Sequence, residues 1–257
     1  MNRIEEVFKR LKEKGKKAFI PYIMAGYPSE EDTFNALGLL EEIGADIVEL
    51  GVPFTDPLAD GPVIQAAASE ALKNGITLKK VLGIVKKARR HYSIPIVLMT
   101  YYNPVFKYGL ERFFVDAAKA GVDGMIVPDL PPDEADDFVA LAKTHNIATI
   151  FLAAPTSTEN RIKLVCNKTT GFVYYVSITG ITGSKLTITK EMQKMVSLIK
   201  RHTSKAVCIG FGVKKPSQAK EVAQIADGVI VGSSIVKMMA SEPERLRKYL
   251  ISLRKAI

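Results

Sequence analysis

Histidine and cysteine are scarce here, with three His and two Cys among 257 residues. Cys166 and Cys208 lie far apart, and no grouping of His with acids has metal-ligand spacing. No His pairs with a Ser or Cys in a nucleophile motif, and no Lys interrupts an apolar strand end, so acyl-enzyme and Schiff-base chemistry lack a candidate. His91, His145 and His202 each fall near the end of an expected helix, where a cation is favoured, so they read as structural. No Gly-x-x-x-x-Gly-Lys run appears. No apolar stretch reaches the roughly 18 residues of a membrane span. The start, Met1-Asn2-Arg3-Ile4-Glu5-Glu6-Val7-Phe8, puts acids where a signal peptide needs an apolar core. Two cysteines in a chain of this size fit a reducing compartment, and a cytoplasmic protein without membrane attachment is expected.

Acids are the minority charge: 27 Asp and Glu against 36 Lys and Arg, a net charge of +9. Three readings follow. Nucleic-acid binding needs a basic cluster, whereas these residues are scattered over expected helix faces. Attraction of an anionic substrate through the overall field is the second, and a Lys-rich solvated surface, the preferred reading, is the third.

What is abundant is alternation. Short apolar runs occur at Ala18–Met24, Asp46–Leu50, Ile94–Met99, Gly124–Val127, Ile147–Leu152, Phe172–Val176, Ala206–Ile209 and Gly228–Val231, eight in all, separated by amphipathic stretches of helical length. Ser29 is a candidate helix N-cap, and Gly44 and Gly121 are natural helix stops. One joint recurs, a helix end followed by an Asp and a buried strand, at Asp46, Asp123 and Asp227. Strands apolar on both faces mark a parallel sheet covered on both sides. Eight such units without a dinucleotide fingerprint favour a (β/α)8 barrel, a TIM barrel, over an open doubly wound sheet. An additional amphipathic helix, with Ile4, Val7, Phe8 and Leu11 on one face, precedes the first strand and is expected to cap a core. No linker is visible, so residues 1–257 are read as a single domain.

Barrel chemistry sits at the C-terminal ends of the strands. The strand of the second run is expected to end at Glu49, and eleven residues on, in a loop rich in Pro and Gly, stands Asp60. Each acid has a structural alternative: Glu49 as half of an ion pair, Asp60 as an N-cap before Gly61-Pro62. Together they suit acid–base work. The last three runs end in Gly-rich segments, Gly180-Ile181-Thr182-Gly183, Gly210-Phe211-Gly212 and Val231-Gly232-Ser233, which suit a phosphate cup. The polar stretch Thr182-Gly183-Ser184-Lys185-Leu186-Thr187 reads as a lid or as an ordinary exposed loop.

The run Glu49-Leu50-Gly51-Val52-Pro53-Phe54-Thr55-Asp56-Pro57-Leu58-Ala59-Asp60-Gly61-Pro62 resembles the signature of the tryptophan synthase alpha chain family. Phe19-Ile20-Pro21-Tyr22, Pro128-Asp129-Leu130-Pro131 and the three Gly-rich strand ends extend the resemblance over nearly the whole chain. It implies a (β/α)8 barrel that cleaves indole-3-glycerol phosphate to indole and glyceraldehyde 3-phosphate by a retro-aldol step, without metal or organic cofactor. By the same resemblance Glu49 is the general acid–base at ring carbon and side-chain hydroxyl, and Asp60 serves the indole nitrogen. Gly183, Gly212, Gly232 and Ser233 would hold the phosphate, while Tyr22, Leu98, Tyr174 and Phe211 would line the indole slot. Thr182 would pair with Asp60 on lid closure, and Asp129 would support the site or communicate with a partner. That partner is a pyridoxal-phosphate-dependent beta chain in an alpha2beta2 complex, met through the loops at Pro53–Asp56 and Asp129–Pro132.

Three departures accompany the resemblance. Tyr22 stands where Phe is common, and the stretch from Ser184 to Thr189 lacks an Arg that many relatives carry. The third strand ends in Thr100-Tyr101-Tyr102-Asn103-Pro104, which leaves open which Tyr faces the site. Another phosphate-binding barrel enzyme and a subunit that only activates its partner are the competing readings, and the intact pair of acids argues against both.

Overall fold

The computed structural model describes residues 2–176, 188–210 and 212–257. Nine strands follow one another, β1 Ala18–Met24, β2 Val48–Gly51, β3 Ile96–Met99, β4 Gly124–Ile126, β5 Ala148–Ile150, β6 Leu152–Ala153, β7 Val173–Val176, β8 Val207–Gly210 and β9 Gly228–Val231. All pairings are parallel, and the sheet runs β5-β4-β3-β2-β1-β9-β8-β7-β6. Its two outer strands are halves of a single apolar run separated only by Phe151. β5 pairs with β4 and β6 with β7, so the ring closes through that run and the chain is a (β/α)8 TIM barrel.

The split of the fifth run is a difference from the sequence expectation, and it has a cause. At the seam the Thr149 carbonyl accepts from Thr170 and Gly171 N–H, the Phe151 N–H donates to Thr169 Oγ1 at 3.3 Å, and the Phe151 carbonyl accepts from Tyr174 N–H. Residues between elements thus satisfy the backbone where the ladder is interrupted.

Side chains alternate between two cores. The inward faces of the strands meet in a cluster that includes Ile20, Ile47, Val97, Ile126, Ile150, Tyr174, Cys208 and Ile230, while the outward faces pack against the helices. The expected N-terminal helix spans Arg3–Glu13 and adds Ile4, Val7 and Leu11 to the inner cluster. Asn2 caps it through Ile4 N–H and also donates to the carbonyls of Asp123 and Asn146, which precede β4 and β5. The helix therefore plugs the end of the barrel where strands begin and leaves the opposite end open. Gly124 makes the plug fit, because a Cβ there would stand 2.8 Å from Ile4 Cδ1.

The recurring Asp joints are one device used three times. Each Asp donates its N–H to the carbonyl of a residue on a neighbouring strand, or just before one, and accepts that residue's N–H on its carboxylate: Asp46 with Phe19, Asp123 with Ile96, Asp227 with Val207. A base completes each: Arg254 for Asp46, Arg89 and Arg3 for Asp123, Lys200 for Asp227. Ser29 caps the helix Glu30–Glu42, and Gly44 and Gly121 take positive φ of 79° and 90° just after helix ends, as their positions predict.

Candidate active site

Glu49 stands on the inward face of β2, in register with Tyr22 on β1 and Val97 on β3. It is 1% exposed, and its Oε1 has no hydrogen-bond partner among the described residues. Among the described residues no base pairs with it, so the ion-pair alternative is not met there. Desolvation alone pushes its pKa to about 8, and at neutral pH the group holds its proton.

Asp60 is not a helix cap. The helix Pro62–Lys73 starts from Gly61 with no side-chain cap, Pro62 needing no partner for a missing N–H. The Asp60 carboxylate instead accepts from the Tyr101 hydroxyl, 3.1 Å from Oδ2. That hydroxyl accepts in turn from Ala59 N–H at 2.9 Å, and the Tyr101 ring packs on Phe54 with centroids 5.3 Å apart. Burial lifts the Asp60 pKa, and the Tyr101 bond pulls it back. Of the two adjacent tyrosines, Tyr101 faces the site. The next residue, Tyr102, begins the helix Tyr102–Tyr108, its N–H held by Asp129 Oδ1 at 2.8 Å.

Tyr22 and Tyr174 complete the inner wall. The Tyr22 hydroxyl lies 2.0 Å from where a Cβ on Gly51 would be, and the Tyr174 hydroxyl 2.1 Å from where one on Gly210 would be. Two inward glycines thus make room for two phenols. Both phenols are pushed up by burial first and then by neighbouring carboxyls, Asp60 ahead of Glu49 for Tyr22 and Glu49 ahead of Asp60 for Tyr174. The four groups therefore face one space.

Leu98 does not join them. It pairs with Leu50, next to Glu49 but on the other face, and packs in the outer core. The expectation that Leu98 lines the slot is corrected by one residue: Met99 has the inward position, with Leu152 and Val176 on the same face. Counting alternate residues from Val97, the partner of Glu49, finds Met99, but it needs the register.

On the opposite side, Gly212 follows β8 with φ +83°. Gly232 is the uncapped N-terminus of the helix Ser233–Ser241, whose first residue is Ser233. The Tyr249 hydroxyl donates to the Lys214 carbonyl at 2.9 Å and lies 2.8 Å from Ser234 Oγ, which ties the loop after β8 to this helix start. Thr182, Gly183 and Phe211, with the stretch expected to form a lid, lie outside the described residues.

A family model described as "Tryptophan synthase alpha chain" matches residues 8–256. The chain belongs to the tryptophan synthase alpha chain family. The alpha chain from Geobacter sulfurreducens is 47% identical over 262 residues, covering 100% of this chain and 99% of the relative. That of Geotalea daltonii is 48% identical over 237 residues, covering 92% and 90%. Among solved structures, the alpha subunit from Legionella pneumophila superposes with a TM-score of 0.92 at 37% identity, covering 100% of this chain and 98% of the other. A chain of Mycobacterium tuberculosis tryptophan synthase does so at 0.93 and 38%, with the same coverage. As a tryptophan synthase alpha chain the protein is a carbon–carbon lyase that cleaves indole-3-glycerol phosphate to indole and glyceraldehyde 3-phosphate in tryptophan biosynthesis.

Proposed function

We propose that Glu49 and Asp60 perform this cleavage with unequal tasks, the reading being carried by the buried carboxyl of Glu49, whose Oε1 has no partner among the described residues. Protonated Glu49 donates its proton to the ring carbon that bears the glycerol side chain, which turns the ring into an electron sink. The positive charge that develops at the ring nitrogen is balanced by the Asp60 carboxylate, whose charged form the Tyr101 donor favours against burial. Glu49, now a carboxylate, takes the proton of the side-chain hydroxyl adjacent to the ring. The O–H electrons form the aldehyde carbonyl, the carbon–carbon bond breaks, and its electrons restore the aromatic ring. Glu49 regains its proton, so nothing is consumed. A pKa near 8 serves both halves of the cycle, acid first and base second.

Tyr22, Tyr174 and Met99 line the indole slot together with Phe211. Gly212, Gly232 and Ser233, with Gly183, bind the phosphate, the uncapped helix start supplying N–H groups and a favourable partial charge. The chemistry needs no metal or organic cofactor. Residues 1–257 act as one domain, supported by the single sheet that all nine described strands share.

The same reading places a second chain on the open end of the barrel. Leu58, 93% exposed, lies in the loop with Asp60, and Phe106, 66% exposed, on the helix after β3. Two large apolar side chains bared beside the site suit docking. The partner is the tryptophan synthase beta chain in an alpha2beta2 complex, which holds the pyridoxal phosphate, and neither nucleic acid nor membrane is involved. No described helix is long and apolar enough to cross a membrane, in keeping with a cytoplasmic setting.

The deciding experiment is Glu49→Gln in the full chain, assayed for indole released from indole-3-glycerol phosphate. Turnover should fall by about three orders of magnitude or more, the range for removing a central acid–base group. Substrate affinity should stay within a few fold, and near-normal turnover would remove Glu49 from its role.

A further inference from the structure

We propose that Tyr101 is a positioning residue for the cleavage, its hydroxyl holding Asp60 so that one carboxylate oxygen is committed and the other is presented to the indole nitrogen. The inference rests on the reading of Asp60 given above.

Asp60 sits in a loop, not on a strand, and Leu58 two residues before it is almost wholly exposed. A carboxylate on such a loop needs an external anchor to hold a geometry good to a fraction of an ångström. Tyr101, at the end of β3, supplies it in two bonds. Its oxygen accepts from Ala59 N–H at 2.9 Å, which pins the backbone before Asp60. Its single proton then points to Asp60 Oδ2 at 3.1 Å. With Oδ2 committed, Oδ1 is the oxygen that meets the ring N–H.

Tyr101 is itself held. Its ring packs on Phe54 from the same loop, and the helix that starts at Tyr102 is fixed by Asp129 Oδ1 on Tyr102 N–H at 2.8 Å. Burial, followed by the Asp60 and Asp129 charges, raises the phenol's pKa, so it remains a donor over the working range. The loop after β2 and the segment after β3 thus meet at the Tyr101 oxygen, and Asp129 from the loop after β4 fixes the next residue.

The test compares Tyr101→Phe, Asp60→Asn and the double variant in the full chain, by indole release over a pH series. Among the described residues, the titratable groups that share this space with Asp60 are Tyr101, Tyr22 and Tyr174, with Glu49 beside the last two. Of these groups Asp60 is the one that can set the acidic limb, since Glu49 is near 8 and burial raises the phenols. Tyr101→Phe keeps the ring and its packing. It should lower kcat by about tenfold, the scale of one lost hydrogen bond to a charged group, and leave KM within about threefold. It should also move the acidic limb of kcat/KM to higher pH, because the carboxylate loses a donor. In an Asp60→Asn background the same change should add little further loss.

Rates are normalised to the folded fraction from a melting curve, so misfolding cannot mimic the shift of the limb. A Tyr101→Phe chain with the parent's kcat and acidic limb overturns the proposal while leaving Asp60's role intact. An Asp60→Asn chain with near-normal turnover overturns the reading of Asp60 itself, and with it this inference.

Discussion

The Tyr22 ring lies across Gly51, its hydroxyl 2.0 Å and its Cζ 2.5 Å from where a Cβ on Gly51 would stand. The two are on neighbouring strands of the same inward face, and Tyr22 pairs with Glu49, two residues from Gly51. The glycine and the phenol are therefore one unit of packing beside the proposed acid.

Gly51→Ala should destabilise the chain by about 1–3 kcal/mol, the usual cost of overpacking a filled core. Tyr22→Phe should not relieve this, since Cζ remains too close. Tyr22→Leu should, so that the double variant Gly51→Ala/Tyr22→Leu is more stable than the two single losses added together. Urea unfolding of the four chains measures the coupling directly. Strict additivity would mean that the ring does not occupy this position.

The raised pKa of Glu49 makes folding stability depend on pH. In the folded chain it is about 8 against 4.5 for an ordinary glutamate, so between those values the folded state holds a proton that the unfolded state has lost. The unfolded state then binds fewer protons, and stability must fall as pH rises. The contribution is fully present below pH 4.5, declines through the interval and levels off above about 8. Glu49→Gln removes the titration. The melting temperature of the variant minus that of the parent should increase from pH 5 to 8 and flatten beyond. The slope tests the claim, because the buried amide changes the intercept as well. A difference independent of pH would show that Glu49 titrates normally. The same proton should be visible in the parent's kcat/KM, which should fall above about pH 8 as the acid form is lost.

Asp123 has the most deeply buried side chain of the three joint acids. Its side chain is 4% exposed and binds Arg89, 11% exposed, as well as Arg3 and the Ile96 N–H. Asp123→Ala would leave the Arg89 charge buried without its carboxylate, and should cost about 3–5 kcal/mol. Chemical denaturation checks this. At Glu242, whose ion pair with Arg245 is largely exposed, the corresponding substitution should change stability by no more than about 1 kcal/mol.

Much of this was legible in the chain itself because it depends on neighbours in sequence. Alternating apolar runs and amphipathic stretches specify parallel strands with helical crossovers. Ser29, Gly44 and Gly121 mark helix ends through local backbone chemistry, and Glu49 belongs to the second strand, which runs on to Gly51 rather than ending at the acid. The long run from Glu49 to Pro62 specifies the family. What remained required knowing which strand lies beside which. Leu98 and Met99 are equally apolar on paper, and only pairing with Leu50 and Gly51 decides which of them turns inward. Tyr101 and Tyr102 are chemically identical, and a bond to Asp60, 41 positions away, separates them. Whether Asp60 capped a helix, whether Glu49 had a partner, and where one strand had to break to close the ring were likewise settled by contacts between distant segments. Local pattern determines element type because its physics acts within a few residues. Facing, burial and hence the pKa of Glu49 depend on the register and closure of the whole sheet.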